Sequence, residues 1–142
     1  MTLQRIELKI VREKTSSYGN CECIKNPADV YEMFKWLGDD IQENFYVLCM
    51  DTGGKAIGFY LAAKGSTNYA NVEMANIIRP ALLTNAPRII LIHNHPSGDP
   101  RPSREDKMLT QRVKEACDLF GITLNDHVII GYESYISCAE QK

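Results

Sequence analysis

The chain has 142 residues, of which 44% are hydrophobic and 24% are charged, and both fractions are close to those of ordinary globular domains. Sixteen Lys and Arg residues against 18 Asp and Glu residues give a formal net charge of −2, which argues against a basic nucleic-acid-binding surface. Its apolar runs are far shorter than the ~20 residues that cross a bilayer. The five cysteines, an odd number without disulfide-framework spacing, favour reduced thiols. We therefore expect one cytoplasmic domain over residues 1–142.

The N-terminal part, residues 1–40, predicts a strand followed by a helix. Apolar and polar residues alternate at the start of the chain, which is typical of a half-buried strand. Asn26 and Pro27 then supply an N-cap and a first-turn proline for a helix that ends near Gly38. The alternating apolar residues of the strand are Ile6, Leu8 and Ile10. The apolar face of the helix contains Val30, Phe34 and Leu37.

The next segment predicts a β-hairpin. Residues 45–50 form an apolar strand pattern, residues 51–54 carry the turn sequence Asp-Thr-Gly-Gly, and residues 56–63 form the partner strand. Gly65 to Asn68 are expected to form a loop. Apolar residues between Ile77 and Leu83 then predict a helix, in which Pro80 implies either a late start or a kink.

The second half of the chain alternates strands with one long helix. Residues 88–92 are short, apolar and rich in β-branched side chains, which predicts a buried strand. Residues 104–120 have a helical apolar period, at Leu109, Val113, Ala116 and Phe120, and Gly121 stops the helix. Strand-like runs at residues 122–124, 128–130 and 135–136 follow. This order of elements predicts an α/β fold.

Two histidines and a carboxylate surround the proline-rich turn that follows the strand at 88–92. Side chains alternate along a strand, so His93 and His95 leave the same face, and Asp106 can supply a third ligand. Two histidines and one carboxylate are typical of a catalytic zinc site, which leaves one position for water. His-x-His also occurs as ordinary hydrogen-bonded strand histidines, and Ser103 with Asp106 resembles a helix capping box. Capping and metal ligation are compatible.

These residues resemble a known signature. His93-x-His95, ten further residues and Asp106, with Pro102-Ser103 inside the gap, resemble the JAMM (MPN) metalloprotease motif. The sequences His-Asn-His-Pro-Ser-Gly-Asp at 93–99 and Asp-His-Val-Ile-Ile-Gly at 126–131 are similar to the bacterial RadC-like branch. The resemblance implies a single JAB/MPN-like domain, a mixed β-sheet flanked by helices with cytidine-deaminase-like layering. Its motif-bearing core is about 43–137, and the family's helical segment ahead of this domain is not expected here.

The resemblance also implies roles for five residues. His93, His95 and Asp106 match the zinc ligands, Ser103 matches the serine that stabilises the oxyanion, and Glu43 matches the glutamate that acts as general acid and base. The implied activity is that of a zinc-dependent metallopeptidase or isopeptidase, with one Zn²⁺ per chain. Its substrate would be a peptide or a protein, ubiquitin-like proteins included.

Other classes of protein fit this sequence less well. A zinc nucleobase deaminase needs His-x-Glu and Pro-Cys-x-x-Cys, which are absent, and the adjacent letters His-Asn-His do not make an HNH nuclease. A non-catalytic MPN-like scaffold is the main alternative, and a DNA-repair role, the traditional RadC annotation, has little support from the net charge. Where the family has a Pro-Arg-Glu cluster this chain has residues 74–76, Met-Ala-Asn, which puts substrate contacts there in doubt.

The remaining histidine and the cysteines suggest no second site. His127 is interpreted as a histidine paired locally with Asp126 rather than as a metal ligand. Cys21 and Cys23 are one residue too close for a Cys-x-x-Cys motif, and the cysteines at 49 and 117 are expected to be small apolar core residues.

Overall fold

The computed structural model describes residues 1–7, 9–12, 23–65 and 72–141. A five-stranded sheet with strand order β2-β1-β3-β4-β5 forms the centre of the fold. Its strands are β1 (Asn44–Met50), β2 (Ala56–Lys64), β3 (Arg88–Asn94), β4 (Thr123–Ile130) and β5 (Tyr135–Ser137). The α-helices are α1 (Pro27–Phe34), α2 (Met74–Leu83) and α3 (Arg104–Phe120).

Strand pairing in this sheet is mixed. β1 is antiparallel to both β2 and β3, β3 is parallel to β4, and β4 is antiparallel to β5. The parallel pair is joined through α3, as a parallel connection requires a crossover. The predicted α/β fold, a mixed sheet flanked by helices in a single small domain, is confirmed.

The two faces of the sheet pack against different helices. On one face Val47 and Leu91 belong to a core that includes Val113 of α3 and residues of α2. On the other face Leu48 and Ile90 pack in a second core with residues of α1. This alternation follows the period of two along a strand, and it produces three layers: α2 with α3, the sheet, and α1.

Helix α1 begins where the sequence predicts. The Asn26 side chain accepts a hydrogen bond from the Asp29 N–H, and the Asp29 carboxylate accepts one from the Asn26 N–H, so that a capping box is complete. Val30 and Phe34 are buried. A 3₁₀ turn, Lys35–Asp39, continues the helix and buries Leu37.

The predicted N-terminal strand is wrong for the residues that the structure describes. Ile6 and Ile10 belong to no strand and are 85% and 50% exposed, and Leu8 lies outside the described residues. Alternating apolar residues form a strand only where a neighbouring strand accepts their backbone hydrogen bonds. The division of residues 1–142 into an N-terminal part and a motif-bearing core stays a prediction.

The other predicted elements form with small changes. The 45–50 and 56–63 hairpin is confirmed, whereas the loop predicted at Gly65 to Asn68 lies mostly outside the described residues. α2 starts at Met74 and contains Pro80, so the late-start alternative is wrong. The runs predicted at 122–124 and 128–130 belong, apart from Ile122, to one continuous strand, β4.

Helix α3 has the predicted length and ends at Gly121, whose φ is +69°. Its buried apolar residues are Leu109, Val113 and Cys117. The helical period assigned Phe120 to the buried face, but Phe120 is 55% exposed. The buried apolar residues of α3 are four positions apart, starting at Leu109, and Phe120 lies outside that series. Along the described part of the chain, no helix combines the length and the apolar character needed to cross a membrane.

Candidate metal centre

Strand β3 carries the two histidines to one side of the sheet. His93 lies in β3 and is buried, and His95 follows the end of the strand, where its N–H donates to the Ile130 carbonyl (2.9 Å). The Nε2 atoms of the two rings are 3.0 Å apart. The predicted convergence of His93 and His95 is therefore present.

Asp106 approaches the same point from the first turn of α3. The Ser103 hydroxyl accepts from the Asp106 N–H (3.0 Å), and Asp106 Oδ2 accepts from the Ser103 N–H (2.8 Å), which completes a capping box. The same carboxylate contacts both rings: Oδ1 lies 3.2 Å from His93 Nε2, and Oδ2 lies 3.0 Å from His95 Nε2. Capping and convergence on the histidines thus occur together.

A tight turn fixes the orientation of the His95 ring. The ring atom Nδ1 lies 2.9 Å from the Asp99 carbonyl oxygen, which can only accept a hydrogen bond, so Nδ1 donates its proton there and Nε2 faces Asp106. Gly98 closes the turn with φ +87°, and its N–H donates to the His95 carbonyl (2.9 Å). A side chain at Gly98 would be strained because of that φ.

Glu43 lies directly before β1 and faces the histidines. Its carboxylate and the ring nitrogens of His93 and His95 all lie within 4.8 Å of one another. Antiparallel pairing of Phe45 with His93 explains this approach, because the residue before β1 then lies beside the end of β3. Glu43 and Asp106 therefore both lie close to the histidine pair.

Asn94, between the two histidines, holds the backbone around Glu43. Its side-chain Oδ1 accepts from the Asn44 N–H (2.7 Å), and its Nδ2 donates to the Gln42 carbonyl (2.9 Å). Asn94 is 1% exposed. This role was not predicted from the sequence, although a polar residue that alternates with two site histidines must point to the opposite, buried side of its strand.

The electrostatics of the cluster centre on the carboxylate of Asp106. Burial alone would raise the pKa of the Asp106 carboxyl, but the adjacent rings of His93 and His95 and the backbone N–H of Ser103 hold the pKa well below the ordinary value. Burial alone would lower the pKa of His95, but its hydrogen bonds with Asp106 and the Asp99 carbonyl give a net upward shift. Asp106 is therefore an anion at neutral pH, beside two imidazoles.

His127 is a part of this cluster that the sequence analysis missed. Its ring lies beneath His93, with Nε2 2.7 Å from His93 Nδ1, and its Nδ1 lies 2.7 Å from the Thr110 hydroxyl. Complete burial lowers its pKa well below the ordinary value, so the ring is neutral. The interpretation of His127 as paired with Asp126 is wrong for the ring: the group of His127 that donates to the Asp126 carboxylate is the backbone N–H (2.7 Å).

The donor set fits zinc. In a tetrahedral site with ligand bonds of about 2.0 Å, neighbouring donor atoms lie roughly 3.3 Å apart. The three contacts among His93, His95 and Asp106 are 3.0 to 3.2 Å, close to that separation. Two imidazoles and one carboxylate are also the ligand types that zinc takes in open, catalytic sites.

Comparison with known proteins places the chain in a family. The sequence profile of the RadC-like JAB domain matches residues 24–142. The chain belongs to the RadC-like JAB domain family. The match includes every strand of the sheet and the residues described around His93, which are Glu43, His95, Asp106 and His127. The resemblance drawn from the motif at 93–106 is therefore confirmed.

Relatives of this RadC-like JAB domain occur in bacteria and archaea. A UPF0758 protein of Carboxydothermus hydrogenoformans is 42% identical over 118 residues, which cover 82% of this chain and 52% of the relative. A UPF0758 protein of Methanosarcina barkeri is 38% identical over 117 residues, 82% of this chain and 51% of the relative. One from Thermotoga maritima is 39% identical over 95 residues, 67% of this chain and 43% of the relative. The chain thus spans about half the length of these curated relatives.

Proposed function

We propose that this RadC-like JAB domain is a zinc-dependent metallopeptidase or isopeptidase that hydrolyses an amide bond. The observation that carries the proposal is the convergence of three donor side chains, His93, His95 and Asp106, at mutual distances of 3.0 to 3.2 Å. These three residues would hold one zinc ion per chain. When bound there, zinc would lower the pKa of a water molecule to about 7 and polarise the scissile carbonyl.

Glu43 is the general acid and base of this proposal. Its carboxylate accepts a proton from the attacking water and later donates it to the leaving amine. Its position within 4.8 Å of the ring nitrogens of His93 and His95 supports this role, because a water molecule between carboxylate and ligands is then within reach of both. The Asn94 hydrogen bonds to Asn44 and Gln42 keep the carboxylate at this distance.

Ser103 is the proposed oxyanion donor. In the capping box its Oγ accepts from the Asp106 N–H, which uses an oxygen lone pair and not the hydroxyl proton. The proton can therefore be donated to the oxygen of the substrate carbonyl as negative charge develops there. Loss of one such donor commonly lowers kcat by about 10²–10³-fold.

A peptide or protein, ubiquitin-like proteins included, is the substrate class that we propose. All of these substrates contain the same amide group. The chemistry of the site therefore supports hydrolysis of an amide bond in each of them. Selection among them depends on surfaces outside the cluster.

Metal content tests the proposed ligands. Wild-type protein, His95→Ala and Asp106→Ala should be supplied with zinc, freed of excess metal and analysed by atomic emission. One zinc per wild-type chain and none in the two variants is expected, with Glu105→Ala as the matched control, since Glu105 is the exposed neighbour of Asp106 on the same helix. Wild-type protein that stays metal-free would overturn the proposal.

Activity separates an enzyme from a scaffold of the same fold. Wild-type protein loaded with zinc should cleave members of a peptide and isopeptide library, and a chelator should abolish this cleavage. Glu43→Gln should keep its zinc and lose the activity. A Glu43→Gln variant with unchanged turnover would exclude Glu43 as the base, and zinc-loaded protein without any hydrolysis would favour the scaffold.

A further inference from the structure

A chain of hydrogen-bonding groups runs beneath the candidate metal centre, from one predicted ligand to another. His93 Nδ1 lies 2.7 Å from His127 Nε2, and His127 Nδ1 lies 2.7 Å from the Thr110 hydroxyl oxygen. That hydroxyl lies 2.7 Å from the backbone carbonyl oxygen of Asp106. His93 and His127 are 1% and 0% exposed, so water does not compete for these contacts.

The last contact fixes the direction of all the others. A carbonyl oxygen has no proton, so Thr110 must donate its hydroxyl proton to Asp106. The Thr110 oxygen is then an acceptor toward His127, whose Nδ1 must carry the proton. A neutral imidazole with a proton on Nδ1 has a lone pair on Nε2, and this atom accepts from His93.

We propose that Thr110 and His127 are positioning residues that fix the tautomer of His93, with the proton on Nδ1 and a lone pair on Nε2 aimed at His95 and Asp106. The inference rests on the proposed function in one respect, since the lone pair is useful there as a zinc ligand. Neither Thr110 nor His127 contacts the point where the donor atoms converge, so both act through His93.

The energetic reason for such a chain is preorganisation. A neutral histidine exchanges its proton between two nitrogens, and the tautomer with a proton on Nε2 cannot ligate a metal through that atom. Partners that accept from the distal nitrogen of a ligating histidine commonly contribute 10–100-fold to metal affinity. The hydrogen-bond chain ends on the backbone carbonyl of Asp106. The Thr110 hydroxyl therefore also links the proposed ligand Asp106 to the proposed ligand His93.

His95 uses the same principle by a shorter route. Its Nδ1 is held directly by the Asp99 carbonyl at 2.9 Å. The ring of each proposed histidine ligand is therefore oriented by one or more hydrogen bonds, the last of which is accepted by a backbone carbonyl oxygen. His93 needs the intermediate groups His127 and Thr110 because it is buried within the sheet, away from a turn.

The first test needs neither zinc nor substrate. Nitrogen-15 NMR of the imidazole rings in the metal-free protein, at mildly alkaline pH where imidazoles are neutral, reports which nitrogen of His93 and His127 carries the proton. Protonated Nδ1 in both rings is expected. A His93 ring without a proton on Nδ1 would overturn the inference, whatever the protein then does with metal.

Variants at Thr110 supply the second test. Thr110→Val removes the hydroxyl at nearly constant shape, and a mixture of His93 tautomers with about 10–100-fold weaker zinc affinity, measured by competition with a chromophoric chelator, is expected. Thr110→Ser should restore both properties. Unchanged tautomers and unchanged affinity in Thr110→Val would overturn the inference. If Thr110→Val does not fold, the tautomers of the wild-type protein decide the question.

Thr84→Val is the matched control. Thr84 donates to a carbonyl four residues earlier, that of Pro80, at 2.7 Å, as Thr110 does to Asp106, but it lies at the C-terminal end of α2, away from the cluster. This control should leave the tautomers and the zinc affinity at wild-type values. If wild-type protein shows the expected tautomers yet binds no zinc, the proposed function fails while the hydrogen-bond chain stands.

Discussion

The side chain of Asn94 accepts a hydrogen bond from the backbone N–H of Asn44, 50 positions away in the chain, at 2.7 Å. A second hydrogen bond, from Asn94 Nδ2 to the Gln42 carbonyl at 2.9 Å, holds the backbone on the other side of Glu43. The residue between the two histidines of the motif thus serves the opposite face of β3, where it joins the segment with Glu43 to the strand with His93. One short motif therefore positions both the proposed ligands and the proposed base.

Asn94→Ala should lower the free energy of unfolding by about 1–3 kcal/mol, because it leaves the buried N–H of Asn44 without this acceptor. Zinc stoichiometry should stay at the wild-type value, since His93 and His95 project to the other face, while any amidase activity should fall with the displacement of Glu43. Urea unfolding and metal analysis measure the two effects. Asn125→Ala, at an exposed position of β4, is the control. An unchanged urea midpoint in Asn94→Ala would contradict this account.

Two similar helix caps allow the structural and metal-binding roles of Asp106 to be separated. Asp29 and Asp106 occupy the same position in the capping boxes of α1 and α3. Asp29→Ala should cost about 1 kcal/mol of stability and leave zinc binding intact. Asp106→Ala should cost at least as much and abolish zinc binding. Thermal unfolding and metal analysis of both variants provide the comparison, and loss of zinc from Asp29→Ala would show that helix capping alone explains the effect.

Gly131 permits the close approach of the turn that carries His95. A Cβ at Gly131 would lie 2.8 Å from Pro100 Cδ and 2.9 Å from Ser134 Oγ, and closer still to the Gly98 carbonyl. Gly131→Ala should therefore destabilise the fold by about 1–3 kcal/mol and weaken zinc binding about tenfold, because the displaced turn includes the acceptor of His95.

Gly58→Ala is the matched control for Gly131→Ala, because a Cβ at Gly58 meets nothing within 4 Å. Chemical denaturation and chelator competition should separate the two variants. Equal stability and equal zinc affinity in both would refute the importance of the close approach at Gly131.

Stability at alkaline pH should depend on Cys117. Burial raises the pKa of its thiol from 9.0 to about 11, so the unfolded chain loses this proton at lower pH than the folded protein does. The contribution of Cys117 is complete below about pH 9, and it is lost as the pH rises from about 9 toward about 11. Urea midpoints across this range should fall less steeply in Cys117→Ala than in wild-type protein. The half-buried Cys23 gives the control, and Cys23→Ala should keep the wild-type slope; identical slopes in all three proteins would contradict the prediction.

Local sequence signals determined most of the fold. Asn26 with Pro27, Ser103 with Asp106, and Gly121 mark helix ends through contacts within a few residues, and such contacts form wherever the helix forms. The strands β1 to β3 were predicted because apolar runs bounded by turn residues leave few other structures. The strand predicted from the alternation at Ile6 and Ile10 is wrong because a strand needs a partner strand, and no local pattern supplies one.

The donor types of the candidate site were also contained in the sequence, since His93, His95 and Asp106 lie within 14 positions on a strand, a turn and a helix start whose geometry is local. Only the tertiary structure decided the distance from Glu43 to the histidines and the contact of His127 with His93. The same is true of the hydrogen bonds from Asn94 to the backbone around Glu43. These contacts span 34 to 52 positions and depend on which strands pair and in which register. Register is set by the packing of whole faces against α1 and α3, which no short segment encodes by itself.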